Sequence, residues 1–258
     1  MKDREPNHDG PLLVAHRGYS LRYPENSLIG VQRAVDVGAR VVEVDVQMSG
    51  DGVPVLLHDA TCQRTAGVDR RVMDLPLAQL KELNFNEKTR LGSTCSQVPI
   101  PTLAEFVGLA REVALETAFV EVKRQSLERF GLVEVMDRVM DELRSDLDKF
   151  VVISFEYAPL EYARSRYGAQ IGSILGAFDD EHHKRTGLLA PQFIFCDYKK
   201  LSEFPDLWPG PWQWALYCVD EPREAIRLAD CGAGLIETNA IGELLEHPKL
   251  AGGGCWRG

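Results

Sequence analysis

In VVEVDVQMSGDGVPVLLHD (residues 41–59), Glu43 and Asp45 alternate with Val42, Val44 and Val46. Side chains on a strand point to its two faces in turn, so the carboxylates share one face and the valines the other. Two carboxylates on one face sit about 7 Å apart and repel unless something cationic lies between them. A hard divalent cation with oxygen ligands resolves that repulsion. The alternation also fits a strand with one face in water, a reading that loses weight if both faces are covered, as in a parallel barrel. The S-G-D-G that follows, set between two apolar runs, signals a hairpin. A turn at Gly50-Asp51 pairs residue 58 with 43, and a turn at Asp51-Gly52 pairs it with 45. Either register brings His58 to the carboxylate face.

Outward from this segment, short β-branched runs alternate with helical patterns. Strands are expected at 12–16, 41–47, 118–123, 150–155, 170–177, 192–198, 212–219 and 234–239. Helical patterns fall between them at 26–38, 102–114, 128–145, 158–168 and 222–232, several ending at Gly as a left-handed C-cap requires. Strand–helix alternation implies a parallel sheet, and eight units in this length favour a closed (β/α)8 barrel over a doubly wound open sheet. Residues 60–101 break the rhythm, with one convincing short helix around LPLAQLKELN. Such an insertion is either a lid over a site or a surface excursion.

In a parallel barrel the C-terminal ends of the strands face the active site. The first strand ends in A-H-R-G, which offers His16, titratable near neutrality, and Arg17, a fixed cation suited to phosphate or carboxylate. A lone histidine there is more often a hydrogen-bonded structural residue. The third strand, F-V-E-V-K, puts Glu121 and Lys123 on one face, either as a third oxygen ligand and a charge for an anionic substrate or as a buried salt bridge. Taken together, two histidines, three carboxylates, one Arg and one Lys at strand ends are hard to explain as packing.

Composition narrows the classes. The 258 residues are 45% hydrophobic with a formal charge of −10, which argues for a folded chain and against nucleic-acid or anionic-membrane binding. Six cysteines without a C-x-x-C pair argue against a zinc or redox framework. MKDREPNHDG at the N-terminus lacks the apolar run of a signal peptide, and no stretch approaches ~18 consecutive apolar residues. No integral membrane segment and a cytoplasmic setting are therefore expected. The domain is expected to span 11–248, with flexible tails at 1–10 and 249–258.

The run VAHRGYSLRYPENSLIGVQRAVDVGARVVEVDVQMSGDGVPVLLHDATCQRTAG resembles the N-terminal signature of the glycerophosphodiester phosphodiesterase family. Its H-R-G, P-E-N-T, E-x-D and H-D elements occur in order, with Ser27 where Thr is usual, and PIPTLAEF, EVK, VVISFE and CVDEP…GLIETN match later landmarks. The resemblance implies a TIM barrel with a small subdomain inserted after the second strand. It also implies metal-dependent hydrolysis of glycerophosphodiesters to glycerol 3-phosphate and an alcohol. By the same resemblance His16 and His58 form the acid–base pair, and Glu43, Asp45 and Glu121 hold Ca2+ or Mg2+. Arg17 and Lys123 hold the phosphate, and Glu25 belongs to the site. One histidine must start neutral and the other protonated, an arrangement expected to arise from opposing pKa shifts.

Two departures bear on the alcohol. Y-C-V-D places Tyr217 where a W-T-V-N-like stretch is frequent, keeping an aromatic face of different shape, and I-E-T-N replaces the frequent T-D-x-P. Glu237 is expected to pair with a cation rather than touch a substrate hydroxyl. Trp208, Trp212 and Trp214 read as core, and His182 and His183 as part of a solvated charged run; His8 and His247 lie outside any motif. Competing readings are a phospholipase D-like diesterase acting on lysophospholipids, and a non-catalytic barrel that binds phosphodiesters. Two proton-transfer groups argue against the second.

Overall fold

The computed structural model describes residues 10–203 and 205–251. Its strands are β1 (Leu12–His16), β2 (Val41–Met48), β3 (Pro54–Leu56), β4 (Thr117–Val122), β5 (Phe150–Ser154), β6 (Gln170–Ile174), β7 (Phe193–Asp197), β8 (Gln213–Tyr217) and β9 (Leu235–Thr238). All but β3 run parallel, and β1 pairs with both β9 and β2, so the sheet closes into an eight-stranded TIM barrel rather than staying open. The antiparallel β3 hangs on the far half of β2.

Alternation along the strands sorts the residues into two cores. Val42, Val44, Val46, Ala118, Val120 and Val122 face outward and are covered by helices. Val14, Val41, Phe119, Val151, Phe193 and Phe195 face the barrel axis. Phe119 meets Phe193 and Phe195 edge-on, with centroids 4.9 Å apart in both pairs, the geometry aromatic rings prefer. Gly172 makes room for them: a Cβ there would stand 2.9 Å from Ile153 Cγ2 and 3.1 Å from Phe193 Cβ. This apolar plug fills the lower barrel, so the polar residues further along the same strands collect at its C-terminal mouth.

Sequence signals explain the helix ends. The helix Leu28–Asp36 starts on Ser27, whose side chain accepts from Gly30 N, and Leu103–Glu112 starts on a capping box between Thr102 and Glu105. The pattern over 128–145 divides into Arg124–Phe130 and Leu132–Leu143, because Gly131 takes φ +85° between them. The helix Asp180–Leu189 carries too weak an apolar stripe to stand out in the sequence.

The hairpin differs from either expected register. Ser49 N donates to Val53 O, so the loop has three residues, Gly50–Gly52, and Val46 pairs with Leu56. Leu57, not His58, lies across from Asp45, its N–H donating to Asp45 O at 3.0 Å. Strict alternation would have turned His58 away from the carboxylates. It does not apply, because β3 ends at Leu56 and His58 lies beyond the strand.

The segment after β3 packs with Val55 of β3 into a small core of its own, with Leu57, Val72, Met73, Leu80 and Phe85. Besides the expected helix, found at Leu77–Glu82, it carries the short helices Gln63–Ala66 and Lys88–Leu91. Arg90 ties it to the loop after β1 by donating to the carbonyls of Ser20 and Tyr23. At the C-terminal side the outer core includes Leu250, so packing continues past the expected boundary at 248. The remainder of the expected tails, 1–9 and 252–258, lies outside the described residues, as does His8.

Candidate active site

The loop that follows β1 is held in an unusual backbone conformation. Arg17 and Asn26 have φ of +56° and +53°, in the left-handed region that side chains other than Gly and Asn seldom adopt. Gly18 packs so tightly on the helix Leu28–Asp36 that a Cβ would lie 2.7 Å from the Gly30 carbonyl carbon. Asn26 anchors the loop to β2: its Nδ2 donates to Asp45 Oδ2 at 2.8 Å, and its Oδ1 accepts from Asp45 N at 2.9 Å. The loop thereby brings Arg17 over the carboxylates, with its N–H 3.3 Å from Glu43 Oε2 and its Nε 2.9 Å from Asp45 Oδ2.

Glu43, Asp45 and Glu121 lie with carboxylate oxygens within 4.8 Å of one another. The pairing of Asp45 with Glu121 across β2 and β4 forces that proximity. Lys123 closes the group, its Nζ 2.6 Å from Asp45 Oδ1 and 2.7 Å from Glu121 Oε1. Burial opposes ionisation of Asp45, but Lys123 and Arg17 outweigh it and hold the carboxyl well below its usual range. Glu43 goes the other way: burial and repulsion from Asp45 and Glu237 raise it well above that range. Burial also pushes Glu121 up to about 7 despite Lys123. With Glu237 included, four buried carboxylates face two fixed cations, and Glu43 Oε1 has no hydrogen-bond partner. An all-oxygen set with surplus negative charge fits a hard divalent cation.

His16 sits at the end of β1 with Nδ1 2.8 Å from Asn239 Oδ1. Asn239 Nδ2 faces Asp220 Oδ2 at 3.0 Å, and a carboxylate only accepts, so the amide group is turned with its oxygen toward His16. The imidazole therefore carries its proton on Nδ1 and offers a lone pair at Nε2. His58 is more exposed, and its Nδ1 lies 2.7 Å from Asp59 Oδ1. The protein groups around them shift both histidines in the same direction. Burial, reinforced by Arg17, lowers His16 to about 4, and burial lowers His58 as well, with Asp45 only partly offsetting it.

His16, Arg17, Glu43, His58, Glu121 and Lys123 line one cavity of about 130 Å³ at the barrel mouth. Tyr217 lines it too, together with the apolar Ile153, Phe155, Ile174 and Phe195. Asp45 is beneath this surface. Glu25 is one step removed, receiving Arg17 Nη1 at 3.0 Å and two bonds from Arg64 of the inserted segment at 2.6 and 2.7 Å. All nine sequence-derived residues thus converge.

A model of the glycerophosphoryl diester phosphodiesterase family matches residues 16–198, most of the barrel. The chain belongs to this family. Over 147 residues it is 34% identical to Glycerophosphodiester phosphodiesterase 1 of Bos taurus, a match covering 57% of this chain and 43% of the bovine protein. It is 31% identical over 149 residues to the Glycerophosphodiester phosphodiesterase of Caldanaerobacter subterraneus subsp. tengcongensis, covering 58% of this chain and 60% of that protein. The chain therefore spans about half the length of these relatives. Among solved structures, an Oleispira antarctica phosphodiesterase in complex with the product sn-glycerol-3-phosphate shares the fold with a TM-score of 0.81 at 24% identity, covering 91% of this chain and 95% of that one. Among the described residues, no helix is long and apolar enough to cross a membrane.

Some site residues had only faint signals in the sequence. Arg64 bridges Glu25 and Asp59 from the insertion, a contact that nothing in linear spacing reveals. Asn26 lay within the P-E-N-S motif and Asn239 within I-E-T-N, both without an assigned role. Glu237 has His16 Nε2 as its nearest basic group at 3.4 Å, and burial pushes its carboxyl up to about 8. Trp214 is core, with Trp208 and Trp212 packed against it, as read.

Proposed function

We propose that this chain hydrolyses glycerophosphodiesters to glycerol 3-phosphate and an alcohol with the help of Mg2+ or Ca2+. The observation that carries the reading is the convergence of two histidines, two fixed cations and a three-carboxylate group on one cavity at the C-terminal mouth of the barrel. A phosphodiester needs its anionic oxygens neutralised, its attacking oxygen deprotonated and its leaving alkoxide protonated. Arg17 and Lys123 supply fixed positive charge to the phosphate. Glu43, Asp45 and Glu121 hold the divalent cation, which when bound adds electrostatic stabilisation of the phosphoryl oxygens.

His16 acts as the base, because the Asn239 contact leaves its Nε2 lone pair free. His58 acts as the acid: Asp59 supports its imidazolium, and the arriving phosphate adds negative charge that favours the same form. The apolar wall around Tyr217 takes the alcohol or the glycerol carbons. A cytoplasmic setting, with no nucleic-acid partner, accords with the five free thiols among the described cysteines and the net charge of −10.

The test is glycerol 3-phosphate release from a panel of glycerophosphodiesters, first with EDTA and then with Mg2+ or Ca2+ restored. Release that depends on the metal is expected. Absence of release from every member would overturn the reading.

A further inference from the structure

Arg64 stands on the short helix Gln63–Ala66 of the inserted segment and is not among the residues lining the cavity. Its guanidinium nevertheless holds two carboxylates at once. Nη1 and Nη2 donate to Glu25 Oε2 and Oε1 at 2.6 and 2.7 Å, and Nε and Nη2 donate to Asp59 Oδ2 and Oδ1 at 2.7 and 3.0 Å. Each carboxylate has a second partner that does line the cavity. Glu25 Oε1 accepts from Arg17 Nη1 at 3.0 Å, and Asp59 Oδ1 faces His58 Nδ1 at 2.7 Å. Both shared oxygens meet Arg64 Nη2, so an unbroken chain of contacts runs from Arg17 through Glu25, Arg64 and Asp59 to His58.

The chemistry of this chain is directional. A planar donor fork that engages two carboxylates bidentately fixes their orientation, which a single point charge does not. The helix that presents the fork is itself anchored, with Cys62 fully buried just before it and Thr65 O accepting from Glu87 N at 3.0 Å. Burial opposes ionisation of Glu25 and Asp59, but Arg64 outweighs it at both, and the two carboxyls lie below their usual range. Without Arg64, the two negative charges would compete with an incoming phosphate for Arg17 and His58.

We propose that Arg64 is a positioning residue that couples the phosphate clamp to the general acid, holding Arg17 through Glu25 and His58 through Asp59. The proposal rests on the reading of His58 as the acid and Arg17 as a phosphate ligand. It gives the inserted segment a part in the reaction without bringing it into contact with substrate.

The test uses the whole chain with Mg2+ and follows an alkyl-alcohol diester, a nitrophenyl diester and the binding of inorganic phosphate. In Arg64→Gln, kcat for the alkyl diester should fall by about tenfold to a hundredfold, the loss that misplacement of a reacting group brings. The nitrophenyl diester, whose leaving group needs no proton, should lose far less, and phosphate affinity should fall severalfold. The alkyl-selective loss should vanish when Arg64→Gln is made in Asp59→Asn, and the affinity loss when it is made in Glu25→Gln, because the chain is already cut there. Arg64→Lys keeps the charge without the fork and reads out the same pattern if the Gln variant folds poorly. Equal losses of kcat on both diesters, or losses undiminished in the two backgrounds, would overturn the coupling and leave Arg64 a structural residue of the insertion. Absence of hydrolysis from every diester would overturn the proposed reaction and with it the His58 half. The Arg17 half is decided by phosphate binding alone, and an affinity unchanged in Arg64→Gln would overturn it.

Discussion

Asn26→Ala removes the clamp between the loop after β1 and β2, and the size of the loss follows from its contacts. The Asn26 side chain donates to the buried Asp45 carboxylate at 2.8 Å and accepts from the Asp45 N–H at 2.9 Å. A hydrogen bond to a charged group contributes about 1.5–3 kcal/mol, and a buried N–H left without a partner costs about 1–3 kcal/mol. Alanine must also hold φ near +53°, where asparagine is tolerated and other residues pay about 1 kcal/mol. Discounting for shared partners, the variant should lose about 3–5 kcal/mol. In urea, with a slope of about 3 kcal/mol/M for a chain of this size, the midpoint moves down by roughly 1–1.7 M. Hydrolysis should fall too, because Arg17 is placed by the same loop. A midpoint shift below about 0.3 M, which is under 1 kcal/mol on that slope, would refute the clamp. Asn26→Asp separates the contributions. It tolerates the backbone angle and can still accept from the Asp45 N–H, but sets two carboxylates against each other, so its loss should ease as pH is lowered.

Four other outcomes follow. His58→Ala should slow hydrolysis of alkyl-alcohol diesters by about 10²–10⁴ but affect a nitrophenyl diester far less, since that leaving group needs no proton; equal losses would remove His58 as the acid. Glu43→Gln should raise the Mg2+ concentration for half-maximal activity and recover at high metal, whereas a loss untouched by metal would show that Glu43 serves otherwise. Gly172→Ala forces a methyl to within 2.9 Å of Ile153 Cγ2 inside the plug and should cost about 1–3 kcal/mol by overpacking, read as a Tm several degrees lower; an unchanged Tm would mean the plug has slack. Burial favours the neutral form of Glu105, but Lys81 and the Thr102 N–H outweigh it and depress the pKa; a carboxylate depressed on folding adds stability above its unfolded value, lost as pH falls through the folded one. The stability gap to Glu105→Gln should therefore be present at pH 7 and close below about pH 4, and a gap independent of pH would sink this account.

The legible part of this molecule is the part that depends on alternation. Once both faces of β2 are covered, Val42 and Val44 must face the helices and Glu43 and Asp45 the axis. The register of β2 with β4 then sets Asp45 beside Glu121 without further information. His58 shows where the same reasoning fails, because a two-residue turn was assumed and the loop has three. The register shifts by one, and His58 reaches the cavity only because the strand ends before it. Its location was expected correctly on a premise that does not hold. What could not be seen depends on contacts between distant segments: Arg64 on Glu25 across the insertion, Asn239 on His16 across the barrel seam, and Cys218 beside that same ring.

The protein groups around the two histidines do not by themselves set their shifts in opposite directions, for a physical reason that bears on how the site works. Neighbouring carboxylates and the metal were expected to split the pair; the carboxylates are engaged by Arg17 and Lys123, which lie as close to them as any histidine does. What remains at the imidazoles is burial, and it lowers both. Two neutral histidines make a base available at once but leave the acid to be charged. A monoanionic phosphodiester entering beside His58 brings the negative charge that would charge it. On this account the surrounding protein groups do not make the difference between the two histidines. It comes from position: His16 is deep, with its tautomer locked by Asn239, and His58 is at the mouth beside Asp59 where substrate charge arrives.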